Sequence, residues 1–152
     1  MSKTLNELAK EINKNAIEKG FYEAENNIIG SFEVAYTSFN NQTSEQQIKS
    51  AKHAFFAQKI ALIHSELSEA IEADRKNKRI DITDLEIDYE FGNDSFVSQF
   101  ERLIKNTVED ELADVIIRVL DTCAHMNINI EKHIELKMKY NSLREYKHGK
   151  NY

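Results

Sequence analysis

The stretch Lys59-Ile60-Ala61-Leu62-Ile63-His64-Ser65-Glu66-Leu67-Ser68-Glu69-Ala70 decides how this chain folds. Phe56, Ile60, Ile63, Leu67 and Ala70 recur at steps of four, three, four and three, the spacing of one helical face packed against other helices. Glu66 and Glu69 sit about 100° round the axis from Leu67 and Ala70. They therefore border the stripe expected to be buried. The rest of the chain has the same leaning: no proline, only four glycines, and abundant Ala, Leu, Ile, Glu and Lys favour long helices over a turn-rich β fold. The expected fold is all-α, a helical bundle of about four to five main helices. A length of 152 residues fits a single domain over 1–152, with 21–42 and 77–106 as its variable segments.

Working outward, residues 4–19 read as an amphipathic helix with Leu5, Leu8, Ile12 and Ala16 on one stripe and Gly20 as its stop. Ile28 to Phe39 suits a short strand, a short helix or an irregular arm, and the pattern leaves all three open. Thr43 with Gln46, or Ser44 with Gln47, makes a capping-box signature that opens a helix running to about Lys76. Residues 77–93 alternate in part and close on Phe91-Gly92-Asn93, as a loop or short hairpin would. Helical spacing returns at Phe96, Phe100, Leu103 and Ile104. Thr107 with Asp110 caps a helix through about Met126, with Val108, Leu112, Val115, Val119 and Cys123 along it. After the turn Asn127-Ile128-Asn129, a last helix is expected from Ile130 to about Tyr146.

Charge is spread unevenly. Residues 1–59 carry seven acidic and seven basic side chains, residues 60–121 sixteen acidic against seven basic, and residues 131–150 three acidic against six basic. So acidic a middle, within a net charge of −6, argues against a nucleic-acid partner. It suits a cation, and the basic tail suits an anion. The single cysteine, Cys123, excludes an intrachain disulfide and fits a reducing cytoplasm; it falls near an apolar stripe and reads as core. No apolar run approaches a membrane span, so a soluble cytoplasmic protein with no membrane partner is expected.

The helix opened by Thr107 repeats the arrangement of the first stretch, since Glu111 and Asp114 are three apart and flank the apolar positions. Glu66, Glu69 and Glu111 have no lysine or arginine three or four residues away, whereas Asp114 has Arg118. Glu72, by contrast, has Arg75 and Lys76 at hand and reads as a surface ion pair. If the two helices pack side by side, Glu66, Glu69, Glu111 and Asp114 converge into an all-oxygen cluster. Hard oxygen donors without Cys or clustered His favour Mg²⁺, with Mn²⁺ as a substitute, over zinc. A di-iron bundle would need Glu-x-x-His pairs from two helices; the only such pair, Glu145 with His148, lies at the tail.

These residues resemble a known family. Glu66-x-x-Glu69 and Glu111-x-x-Asp114, in the strings Ile63-His64-Ser65-Glu66-Leu67-Ser68-Glu69-Ala70 and Asp110-Glu111-Leu112-Ala113-Asp114-Val115-Ile116, resemble the MazG-like branch of the all-α nucleoside triphosphate pyrophosphatases. The tail Lys137-Met138-Lys139-Tyr140-Asn141-Ser142-Leu143-Arg144, followed by His148-Gly149-Lys150, is similar to that family's ending. The resemblance covers residues 55–80 and 107–150; the gap between Glu69 and Glu111 is longer than the family usually shows.

The resemblance implies a homodimer or dimer of dimers that hydrolyses a nucleoside triphosphate, standard or modified and deoxynucleotides included, to the monophosphate and pyrophosphate. Glu66, Glu69, Glu111 and Asp114 would hold Mg²⁺, and Glu66 or Glu69 would take the proton of the attacking water. Lys137, Asn141 and Arg144 share a face with Ile134 and would meet the substrate's phosphates. His148 and Lys150 would close over the site. Lys59, on the flank of Leu62 and Glu66, would touch phosphate or balance the carboxylates. His64 reads as a surface or supporting group, Asp121 as half of a structural ion pair with Arg118, and Phe55, Phe56 and Tyr36 as core aromatics. The alternative is a catalytically silent nucleotide sensor or assembly protein, which the presence of all four carboxylates opposes.

Overall fold

A computed structural model describes residues 3–39, 42–83 and 92–145. Among them are six α-helices and no strand: α1 (Leu5–Glu18), α2 (Glu23–Phe39), α3 (Gln42–Arg75), α4 (Asn93–Leu103), α5 (Val108–His125) and α6 (Ile130–Ser142). The all-α expectation stands, with one helix more than the upper count. Among the described residues no helix is long and apolar enough to cross a membrane.

The extra helix is α2, over the segment the sequence left open. Apart from the half-buried Gly30, its buried or half-buried positions among the described residues are Glu25, Ile29, Phe32 and Ala35, spaced by four, three and three, which is a helical period. Its hydroxyls do not break it, because Ser31 Oγ and Thr37 Oγ1 donate back to the carbonyls of Ile28 and Glu33 at 2.8 and 2.9 Å. The helix α3 begins at Gln42, so both capping-box signatures fall inside its first turn, and Ser44 is buried there instead of capping. The side chain of Thr43 lies outside the described residues. Residues 76–83 form turns and irregular chain, without a hairpin strand; 84–91 lie outside the described residues. The last helix ends at Ser142, short of the expected Tyr146, which with His148 and Lys150 also lies outside them.

Helix ends follow local chemistry. Thr4 caps α1 in a reciprocal box with Glu7, which sequence reading passed over although Thr-x-x-Glu is its signature. Three helices stop on a residue in the left-handed region: Gly20 (φ 81°), Asn77 (φ 53°) and Asn127 (φ 55°). In each case the next N–H reaches back five residues, from Phe21 to Ala16, Lys78 to Ala73 and Ile128 to Cys123, satisfying a terminal carbonyl. Thr107 accepts from the Asp110 N–H at 3.3 Å, as its spacing implied, while Asp110 accepts from the Asn106 N–H at 2.9 Å.

The contacts divide the chain into two compact units, with boundaries after Glu23 and after Val119. In the unit containing α1 and α6, Asn6 Nδ2 donates to the α6 cap Asn129 at 2.8 Å. Tyr22, only 2% exposed, donates its hydroxyl to Asp121 at 2.7 Å and stacks on His125 with ring centroids 4.3 Å apart. Asn13 Nδ2 donates to the other Asp121 oxygen at 2.8 Å. Asp121 is thus structural, and Asn13 and Tyr22 are partners that periodicity did not reveal. Tyr22→Phe deletes a bond to a charged acceptor and is expected to lower unfolding free energy by roughly 1.5–3 kcal/mol in urea titration, with helix content unchanged.

In the unit containing α2, α3, α4 and the start of α5, the chain leaving α3 is tied to the first turn of α5. Lys78 O accepts from the Val108 N–H at 3.0 Å, and the Ile80 N–H donates to Glu109 at 3.0 Å. Further back along α3, Glu66 meets Arg118, further forward on α5. The two helices therefore run in opposite directions where they meet.

The face that α3 buries differs from the stripe expected in the sequence. Phe56, Ile60 and Leu67 are exposed, Ile63 is half-buried and Ala70 is buried as expected, while the other buried positions among the described residues of α3 are Ser44, Glu66 and Ala73. On α5, Val108 and Cys123 are buried as expected, but Leu112 is exposed and Glu111 is buried. A helix with apolar side chains on several faces buries whichever face its neighbour meets, and here the two meeting faces carry carboxylates and small residues. Phe56 and Tyr36 are likewise exposed rather than core.

Candidate metal centre

Three of the four expected carboxylates are gathered by this antiparallel meeting. Glu66 on α3 and Glu111 and Asp114 on α5 each offer an oxygen within 4.8 Å of the other two. Glu66 and Glu111 are 6% and 5% exposed, an unusual state for carboxylates, while Asp114 is more open. Glu69, one turn along α3, is exposed and stands at the edge, where its Oε1 accepts from Ser65 Oγ at 3.3 Å.

The gathering has an electrostatic cost, which shows in the acids themselves. Burial first, then the charges of Glu69, Asp110 and Glu66, push the Glu111 carboxyl up from 4.5 to about 7. Asp114 is also raised, by burial first and then by Asp110 and Glu66, with Arg118 opposing. Arg118 meets the group: its Nε and Nη2 both lie 2.6 Å from Glu66 Oε1. Sequence spacing assigned Arg118 to its own-helix neighbours; the bond to Glu66 crosses between helices and has no signature in the order of residues.

The donor set fits a hard divalent cation. Bonds of about 2.0–2.1 Å to magnesium place neighbouring oxygens roughly 3 Å and opposite ones roughly 4 Å apart, inside the 4.8 Å within which these three lie. An inward movement of the carboxylates would close the set, and a cation between them would relieve the repulsion that adds to burial in raising Glu111 and Asp114.

The expected substrate contacts are disposed differently. Lys59 Nζ lies 3.1 Å from Glu25 Oε2, with side chains 17% and 9% exposed, so a buried carboxylate on α2 engages this lysine. Glu25 was not singled out in the sequence. Lys137, Asn141 and Arg144 belong to the other unit; all are exposed, and Arg144 lies beyond the end of α6. Lys137 and Arg144 place their charges 5.2 and 5.8 Å from the Tyr140 ring centre. His64 is exposed, and Glu72 pairs with Lys76 at 3.1 Å and Arg75 at 3.6 Å, as its neighbours implied.

No protein-family model, curated protein or solved structure matches the chain.

Proposed function

We propose that this chain is a magnesium-dependent nucleoside triphosphate pyrophosphohydrolase that releases a monophosphate and pyrophosphate, clearing standard or modified nucleotides from the pool. The observation that carries the reading is the convergence of Glu66, Glu111 and Asp114 from two helices, two of them buried. Together with Glu69 these complete the two carboxylate pairs on which the resemblance to the MazG-like pyrophosphatases rests.

In this reading Glu66, Glu111 and Asp114 hold the cation, which, when bound, neutralises phosphoryl oxygens and acidifies a water. Mn²⁺ substitutes for Mg²⁺ on the same oxygens. Glu69 is the better placed proton acceptor of the two candidates, because it is exposed while Glu66 is engaged by Arg118. It takes the proton of the water that attacks the α-phosphorus. The resemblance assigns phosphate contacts to Lys137, Asn141 and Arg144; Lys59, engaged by Glu25, supports the fold of α2 on α3. Positioning and charge neutralisation carry most of such a reaction.

Self-association belongs to the same proposal. Ile60, Leu67 and Ile71 on α3 and Leu112 and Ile116 on α5 are large apolar side chains left exposed, which a second copy would cover. A monomeric mass by light scattering at micromolar concentration would remove that part.

The test is pyrophosphate release from a panel of standard and modified nucleoside triphosphates, with Mg²⁺ and with chelator. Magnesium-dependent release from at least one is expected, in a soluble cytoplasmic setting that requires neither membrane nor nucleic acid. Tight nucleotide binding without release from any would favour the sensor reading.

A further inference from the structure

Arg118 stands where a cation at the cluster would have to be reckoned with. Its Nε and Nη2 fall on one oxygen of Glu66, while the Glu66 side chain also offers an oxygen to the group with Glu111 and Asp114. A divalent cation drawing on Glu66 would stand within a few ångströms of the guanidinium, and the two positive charges repel. The two side chains differ in freedom: that of Glu66 is 8% exposed, that of Arg118 is 40% exposed. Of the pair, the arginine is the more accessible to a ligand arriving from solvent.

Resting on the cation site proposed above, we propose that Arg118 is the counterion of Glu66 in the metal-free protein and passes to an anionic phosphate oxygen of the ligand when a divalent cation takes Glu66. The exchange keeps the buried carboxylate paired throughout, which avoids the large penalty of a buried charge left alone. It also matches the chemistry of the group, since the guanidinium fork fits carboxylate and phosphate alike. Its place on α5, four residues from Asp114, keeps it beside the ligand after it leaves Glu66. Metal and phosphate binding are thereby coupled through one side chain.

The direct reading is the Arg118 Nε–H resonance in the full ¹⁵N,¹³C-labelled chain, assigned by through-bond correlation to the Arg118 backbone. Protection from solvent exchange is expected in the metal-free protein, loss of it at saturating Mg²⁺, and its return when pyrophosphate is added with Mg²⁺. In parallel, Arg118→Gln should bind Mn²⁺ about tenfold more tightly by calorimetry, and the Mn²⁺-loaded variant should bind pyrophosphate about tenfold more weakly, within the usual range of site-to-site coupling. Arg118→Lys, which keeps the charge without the fork, should restore the Mn²⁺ affinity but not the pyrophosphate affinity. An Nε–H that stays protected in Mg²⁺ overturns the displacement, and one that is lost and never returns overturns the transfer to phosphate. If neither the native chain nor the variant binds Mn²⁺, the cation site itself is refuted; equal binding by both refutes only the role of Arg118. The resonance experiment uses the unaltered chain, so it decides even if the variants fold poorly.

Discussion

Glu111→Gln is expected to cut magnesium-dependent pyrophosphate release by roughly 100–1,000-fold while making the metal-free protein harder to unfold. The two effects have one origin. Glu111 is buried beside Glu66, Asp114 and Asp110, and its carboxyl is pushed up to about 7 by burial and by neighbouring negative charge. Removing its charge removes a proposed ligand of the cation and also removes the repulsion. The pH dependence follows from the direction of the shift. The folded pKa lies above the ordinary 4.5, so the folded chain holds a proton that the unfolded chain has released between those values. The associated stability is fully present below 4.5 and is lost as pH rises through about 7. In chelator, the native protein should therefore show a melting temperature that falls from pH 5 to pH 8, and the variant a flatter profile. Each kcal/mol of relief is worth roughly 2–4 °C in a chain of this size; solvent at the open side of the cluster trims the total. Saturating Mg²⁺ should reverse the order, stabilising the native protein by about 2.7 kcal/mol at a hundredfold excess over its dissociation constant. Full turnover by Glu111→Gln would remove the residue from the site.

Lys59→Ala is expected to destabilise the protein by about 3–5 kcal/mol, the usual result of taking one partner from a buried ion pair. Lys59 and Glu25 lie 3.1 Å apart, with side chains 17% and 9% exposed. Adding Glu25→Gln to Lys59→Ala should recover a large part of the loss, because the remaining buried charge goes with it. This experiment separates the two roles that the flank position of Lys59 allowed. A phosphate contact would raise KM in the single variant with little change in denaturant midpoint, whereas a structural pair moves the midpoint and leaves KM near its native value once the double variant restores folding.

The helices themselves were legible where local chemistry sets them: Gly20 as a stop, Thr107 with Asp110 as a start, and the unbroken pattern through Glu66. The carboxylate pairs were legible for the same reason, since their spacing and lack of nearby cations are properties of one helix at a time. What the order of residues could not convey is which faces meet. On α3 Phe56, Ile60 and Leu67 of the apolar stripe are exposed, while Glu66, Ala70 and Ala73 are buried. Arg118 on Glu66 and Lys59 on Glu25 are consequences of those meetings, joining residues far apart in sequence. The segment that became α2 was ambiguous because its β-branched and aromatic residues fit a strand as readily as a helix.

The tie between the end of α3 and the first turn of α5 bears on how this protein could change over generations. Lys78 against Val108 and Ile80 against Glu109 fasten both feet of everything between them. Closing a longer excursion between fixed feet adds only about 0.6 kcal/mol for each doubling of its length. Insertions can therefore accumulate between the feet without disturbing the register that brings Glu66 to Glu111 and Asp114. The long interval between the two carboxylate pairs is the kind of lengthening such a staple tolerates. The same place is where a foreign domain could be grafted while the acidic cluster keeps its shape.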